Sequence, residues 1–250
     1  MTETIIQPGT LWESILHRTE TAIATGALHP IATRRTMIED GGMLFSVRIA
    51  ENLKRKANDK TEQAKRLHRT GTAANPFLPP EPDLMVGNIS TSHRAVLNKF
   101  NVVEHHLLIV TQEFEEQERL LNRQDFEALW TAMREYEALG FYNGGTAAGA
   151  SQHHKHLQMV PFAALGESPA LPVDALLDSI EDSPSAASRL PFRHCVARLD
   201  RGLFKSPARA ALVTQGLYRE MLEQFGLCII NKDGKEFQSG PYNLLITREW

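Results

Sequence analysis

A chain of 250 residues, 42% hydrophobic and 23% charged, with a formal net charge of -3, has the composition of a folded globular protein rather than a disordered one. That balance gives no global basis for binding nucleic acid or an anionic membrane, so neither is expected as a partner. No apolar run approaches the ~20 residues of a membrane helix, the amino terminus lacks the pattern of a secretory signal, and Cys195 and Cys228 share no CxxC spacing, which together predict a reducing, cytoplasmic setting without a cysteine zinc site.

The length suits one large unit or two fused smaller ones. Thr10 to Ala27 spaces Leu11, Ile15, Ala22 and Ile23 between polar residues and predicts an amphipathic helix ending at Gly26. "MLFSVRIA" (Met43 to Ala50), after Gly41 and Gly42, predicts a strand. From Lys54 to Arg69, seven cations face Glu51, Asp59 and Glu62, either as a solvated helix or loop or as a patch for one anionic ligand. "GTAANPFLPPEPD" reads as an exposed connection. "HRAVLNKFNVV" and "HHLLIVTQEF" predict two strands divided by a polar corner at Glu104 and His105. Gln124 to Gly140 predicts a helix, with a core stripe of Phe126, Leu129, Trp130, Met133, Tyr136 and Leu139 and with Gly140 as its stop. "KHLQMVPF" predicts a strand and residues 163–190, rich in Ala, Pro and Ser, a loop or insertion. "PFRHCVARLD" predicts a strand, "ALVTQGLYREMLEQFGL" a helix ended by Gly226, and "YNLLITREW" a final strand. The order predicts an α+β fold with helices packed on an antiparallel sheet.

The densest chemistry lies in "GGTAAGASQHHKHLQMVP", residues 144–161. In an extended segment side chains alternate, so His154, His156 and Gln158 share one face, their Cα atoms about 6.6 Å apart, while His153, Lys155 and Leu157 point the other way. Zinc needs three or four converging ligands, and this face offers two histidines, so no metal site is expected. Taken alone, His-x-His also suits a surface strand. The preceding small residues, including Gly144, Gly145, Gly149 and Ala150, let main-chain amides approach a ligand and form an anion-binding concavity. A neutral imidazole beside such a cradle can attack phosphorus and form a covalent intermediate, the chemistry of phosphoryl or nucleotidyl transfer.

"NPFLPPEPDL", "VLNKFNVVEHHLLIVTQEFEEQ", "FYNGG" and "GASQHHKHLQMVP", in that order, resemble the ATP adenylyltransferases, or diadenosine tetraphosphate phosphorylases. These belong to the histidine-triad superfamily, in the branch shared with galactose-1-phosphate uridylyltransferase. The resemblance covers most of the chain, from "IEDGG" to "YNLLITREW". It implies a histidine-triad-like antiparallel sheet with packed helices. His156 would be the nucleophile, adenylylated at the α-phosphate, and His154 would hold the site. Gln158 stands where hydrolytic relatives carry a third histidine, and its amide would hydrogen-bond a phosphate oxygen without acting as acid or base. Asn143, Gly149, Ala150, Ser151 and Gln152 match the family's phosphate-binding turn, Asn98 and Lys99 its nucleotide-contacting segment, and Lys54 a cation for the polyphosphate. Ser239, Gly240 and Pro241 fall at its later nucleotide contacts.

The implied reaction converts diadenosine tetraphosphate and phosphate into ATP and ADP by a ping-pong route. No cofactor is required by the sequence, and magnesium would come with the substrate phosphates. Lys155, where uridylyltransferases commonly have proline, favours the adenylyl branch. Family members continue beyond "TREW", so the resemblance implies a shortened carboxy terminus. The expected organisation is a catalytic half at about 1–162, a linker or insertion at about 163–190 and a decayed second half at about 191–250, without a second His-x-His. A related sugar-phosphate uridylyltransferase, a dinucleoside polyphosphate hydrolase and a non-catalytic nucleotide-binding protein stay open as alternatives. Nucleotide preference and oligomeric state are not specified.

Overall fold

The computed structural model describes residues 5–50, 75–166, 171–174, 184, 190 and 192–250. Its strands are β1 (Thr33–Asp40), β2 (Met43–Ala50), β3 (Met85–Asn88), β4 (His93–Leu97), β5 (Leu107–Thr111), β6 (Ala138–Gly144), β7 (His156–Pro161), β8 (Ile229–Lys232), β9 (Lys235–Gln238) and β10 (Tyr242–Ile246). The helices are α1 (Leu11–Thr25), α2 (Arg123–Glu135) and α3 (Pro207–Gln224). Six strands form one sheet in the order β10-β6-β7-β5-β4-β3, every neighbouring pair antiparallel, while β1–β2 and β8–β9 are separate hairpins. The expected α+β class, helices on an antiparallel sheet, is what the chain adopts.

Register divides the sheet into two faces, because directly paired residues of an antiparallel ladder point to the same side. Arg94, Val110 and His156 form one cross-strand row. Val96, Leu108, Gln158, Phe141 and Leu245 form the next row on that face. The alternate residues, among them Ala95, Ile109, Leu157 and Met159, belong to the apolar core with Phe126, Leu129, Trp130 and Met133 of α2. Burying such side chains stabilises the domain by about 1.5–3 kcal/mol each, so α2 fixes the sheet's back while its front stays available for chemistry.

α1 buries Leu11, Ile15, Thr19 and Ala22 and ends at Gly26, as its spacing predicts. α2 begins at a capping box, where Asn122 accepts from the amides of Gln124 and Asp125 and Asp125 accepts from the Asn122 amide. It ends earlier than expected. The chain turns extended at Tyr136, and Gly140 lies inside β6, where a Cβ would come within 3.0 Å of Leu129 Cδ1 and 3.4 Å of Met133 Sδ. This glycine is a close strand–helix contact, not a helix stop.

Other expectations are corrected. "PFRHCVARLD" forms no strand over its described residues; Ala197 and Leu199 are buried as irregular chain, and Leu199 bonds to the Glu249 carbonyl. The proline-rich connection is partly core, with Phe77 5% and Leu84 4% exposed. β1, β3 and the β8–β9 hairpin were not expected. The last turns at Asp233 and Gly234, with φ 51° and 75°, the paired positive angles of a tight hairpin. The basic segment, including Lys54, and most of 163–190 lie outside the described residues. Among the described residues no helix is long and apolar enough to cross a membrane. Cys195 and Cys228 are free thiols.

Candidate active site

β7 delivers the motif. Before it, Lys155 N donates to the Glu115 carbonyl, and at its start His156 N donates to Gln117 Oε1 at 2.9 Å. Gln117, fully buried, also donates from Nε2 to the carbonyls of Asn143 (2.9 Å) and His156 (3.3 Å). It thereby ties the end of β6 to the start of β7 beyond the last paired residues, Phe141 and Gln158. Sequence reasoning missed Gln117, which carries no spacing signal.

The two histidines occupy different hydrogen-bond settings. His156 Nδ1 lies 2.8 Å from the His154 carbonyl, which can only accept, so Nδ1 carries the proton and Nε2 the lone pair. Burial pushes the His156 pKa down to about 4, outweighing the upward pull of the hydrogen bond to the His154 carbonyl, so the ring is neutral near pH 7. His154 Nε2 donates to the Thr111 carbonyl at 2.9 Å, and its Nδ1 accepts from Asn75 Nδ2 at 2.9 Å. Its pKa is also lowered, first by burial and further by the charge of Arg94, against the opposing pull of its hydrogen bonds. Phe77 packs against both rings, with centroids 5.6 Å from each, and Phe114 against His154. The "NPF" segment, expected to be exposed, thus covers the histidines.

Lys155 points to the opposite face, as alternation requires, but into the protein. Its Nζ is fully buried, 2.5 Å from Asp125 Oδ2 and 3.0 Å from the Leu120 carbonyl, with Glu115 at 3.4 Å. Asp125 also bonds His93 Nε2 at 3.0 Å. Burial raises the Asp125 pKa, but Lys155, His93 and the Asn122 amide together outweigh it and hold the carboxyl below its ordinary value. A charge network therefore anchors the residue between the two site histidines to the first turn of α2.

On the front face Gln158 Oε1 lies 3.0 Å from His106 Nε2, and His106 Nδ1 lies 3.1 Å from Asn98 Nδ2. His106 was not expected at the site. Lys99 is paired with Glu81 at 2.8 Å. Asn143 Oδ1 accepts from Asn243 Nδ2, which also donates to the Ala148 carbonyl. In the following turn the amides of Gly149 and Ala150 donate to the carbonyls of Thr146 and Gly145, so they close the turn itself. Gly149 holds φ 101°, a conformation that suits glycine. Among the described residues the amides of Ser151 and Gln152 donate to no main-chain carbonyl. Ser239, Gly240 and Pro241 link β9 to β10, and the pairing of Tyr242 with Gly144 sets them beside the glycine turn.

Arg94 completes the row of His156. Its buried Nε has no hydrogen-bond partner among the described residues, an arrangement that costs free energy unless an anion arrives. Only register could have revealed it, since the sequence shows a lone arginine in a strand. No cluster of three or more His, Cys, Asp or Glu side chains is placed to hold a metal among the described residues. Chemically, the face offers a neutral imidazole with a free ring nitrogen, an amide beside it, and cationic and main-chain donors able to meet an anion.

A family model described as the Ap4A phosphorylase N-terminal domain matches residues 1–179. Over 102 residues the chain is 34% identical to diadenosine 5',5'''-P1,P4-tetraphosphate phosphorylase 2 of Saccharomyces cerevisiae, covering 35% of this chain and 31% of that protein. Over 208 residues it is 27% identical to Protein APA1 of the same yeast, covering 73% and 61%. The chain thus matches less than two thirds of the length of either relative. Its fold superposes on yeast Ap4A phosphorylase Apa2 in complex with Ap4A with a TM-score of 0.75 and 22% identity, over 99% of this chain and 80% of that one. For the same yeast enzyme in complex with AMP the TM-score is 0.72 at 23% identity, over 99% and 79%.

Proposed function

Because this chain belongs to the Ap4A phosphorylase N-terminal domain family, as its motifs predict, we propose that it is a nucleotidyltransferase that phosphorolyses diadenosine tetraphosphate to ATP and ADP. The observation that carries this reading is the buried, neutral His156, whose Nδ1 proton is committed to the His154 carbonyl and whose Nε2 therefore keeps its lone pair. The names of the yeast relatives, and the Ap4A and AMP held by the yeast enzyme, support the substrate class.

In this mechanism Nε2 attacks the α-phosphorus, the P–N bond forms, and the bond to the bridging oxygen breaks. ATP departs as a phosphate oxyanion and needs no proton, which suits an amide at Gln158 rather than an acid. The positive charge left on the adenylylated ring is shared with the His154 carbonyl through Nδ1–H. An oxygen of inorganic phosphate then attacks the same phosphorus, the P–N bond breaks, and ADP leaves while Nε2 regains its lone pair. Arg94, the amides of Ser151 and Gln152, Lys99 and Lys54 offset the phosphate charge, with Lys99 exchanging Glu81 for substrate. Asn143, Gly149 and Ala150 shape the turn, and Ser239 to Pro241 flank it. Magnesium enters with the substrate phosphates, and the setting is cytoplasmic.

The test is to incubate the protein with diadenosine tetraphosphate, with and without phosphate, and to identify the nucleotides. ATP and ADP formed only with phosphate, plus an acid-labile adenylyl-protein labelled from the α-phosphate, is the expected result. Equal turnover without phosphate, releasing ATP and AMP, would mark a hydrolase instead. Binding without turnover would mark a non-catalytic nucleotide-binding protein.

A further inference from the structure

We propose that His106 is a positioning residue that holds the Gln158 amide with its NH2 group toward the substrate, through a relay whose direction is set by the main-chain N–H of Phe100. The inference rests on the proposed phosphorolysis for its catalytic meaning, though not for its geometry. Phe100 N donates to Asn98 Oδ1 at 3.3 Å, and a main-chain N–H can only donate, so the oxygen of Asn98 faces it. Asn98 must then present Nδ2 to His106, at 3.1 Å, and Nδ1 of that ring must accept. The His106 proton accordingly sits on Nε2 and is donated to Gln158 Oε1 at 3.0 Å. What remains of Gln158 is its NH2, for which the described residues supply no acceptor, on the face that carries His156.

A glutamine amide left to itself presents oxygen or nitrogen at similar cost. The wrong end would set a carbonyl lone pair against anionic phosphate oxygens. Here reversal is opposed, because flipping one buried member sets donor against donor or acceptor against acceptor. His106 and Gln158 are 9% and 8% exposed, so water gives little relief. Phe141 packs against the His106 ring, with centroids 5.8 Å apart, and helps hold its plane. The device recurs nearby. In "NPF", Phe77 N donates to Asn75 Oδ1 at 3.0 Å, and Asn75 Nδ2 donates to His154 Nδ1, forcing that ring's proton onto Nε2 as well. Two Asn-x-Phe triplets therefore set the tautomers of two histidines.

The tautomer can be read directly in the unmodified protein by long-range nitrogen–proton NMR of labelled histidine, with His106 assigned from its absence in a variant. The Nε2–H form is expected, and an Nδ1–H form overturns the relay whether or not the protein is active. Catalysis is read by a mutant cycle on Ap4A phosphorolysis. H106F should lower kcat by about 10- to 100-fold with KM changed less than about threefold. H106Q, whose amide can donate to Gln158, should recover most of the loss. In a Q158A background H106F should add less than about twofold, because its partner is already gone. Losses that multiply, or H106Q no better than H106F, overturn the positioning role. Should the wild type show the Nε2–H tautomer yet leave Ap4A intact, the substrate reading falls and the relay stands.

Discussion

His156 donates its Nδ1 proton to the main-chain carbonyl of His154, 2.8 Å away and two residues earlier. The acceptor that fixes the His156 tautomer is thus backbone, and a side-chain change at position 154 leaves it in place. The two histidines should separate on mutation. His156→Ala removes the atom proposed to attack and should lower phosphorolysis by more than about 10⁴-fold, with nucleotide binding retained. His154→Ala loses the bonds to Thr111 and Asn75 but keeps the carbonyl, and should cost about 10- to 100-fold. Rates and calorimetric nucleotide binding for both variants check this; equal losses would make His154 part of the chemistry itself.

The depressed histidines also dictate a pH dependence. The ordinary value for histidine is 6.5, and burial brings His156 to about 4, so the unfolded chain binds more protons than the folded one between these values. Stability from this site is fully present above pH 6.5 and is lost as pH falls toward about 4. The lowered His154 and Asp125 act in the same direction, Asp125 only at more acidic pH because its folded value lies below 3.8. The His156 ring itself stays neutral in folded protein well below pH 6.5. Denaturation midpoints should therefore fall between pH 7 and about pH 5 while the acid limb of kcat/KM shows no inflection for His156 near 6.5. An inflection at the ordinary histidine value, abolished by no other substitution, would contradict the burial of this ring.

The strand bearing the motif, the shared face of His154, His156 and Gln158, and the helices α1 and α3 were legible because period and alternation are local properties. What was not legible depends on packing across the sheet. Gly140 looks like a helix stop until Leu129 and Met133 are seen to lie against it. Alternation puts Lys155 on the face opposite His156, but that it meets Asp125 in the core is not local, since only the fold brings α2 behind β7. Arg94 and His106 reach the site through register and a corner, neither of which leaves a sequence spacing. The small residues of the glycine turn suggest a cradle of free amides, but two of those amides are used to close the turn, which composition does not reveal.

Arg94 offers a test of the register argument. It shares a cross-strand row with Val110 and His156, and its Nε lacks an acceptor among the described residues. If it meets a phosphate of the substrate, Arg94→Gln should lower kcat/KM by about 10- to 1000-fold, the range found for loss of one oxyanion donor. Because the Arg94 side chain is only half-buried and its buried Nε is unsatisfied, its removal should at the same time leave the unfolding midpoint unchanged or raised. Steady-state kinetics and urea denaturation together decide, and a loss of stability without a loss of rate would assign Arg94 to the scaffold alone.

The Lys155–Asp125 pair separates anchoring from chemistry. Both side chains are fully buried, so replacing one strands the other's charge in the core. Lys155→Met should destabilise the protein by about 3–5 kcal/mol, and Asp125→Asn, added to it, should return much of that loss, since the desolvation of an unpaired carboxylate is then relieved. Urea midpoints of the two variants check both expectations. At temperatures where the double variant is folded it should retain measurable phosphorolysis, because Lys155 points away from the face that carries His156, and complete inactivity of a folded double variant would show that the anchor sets the position of His156.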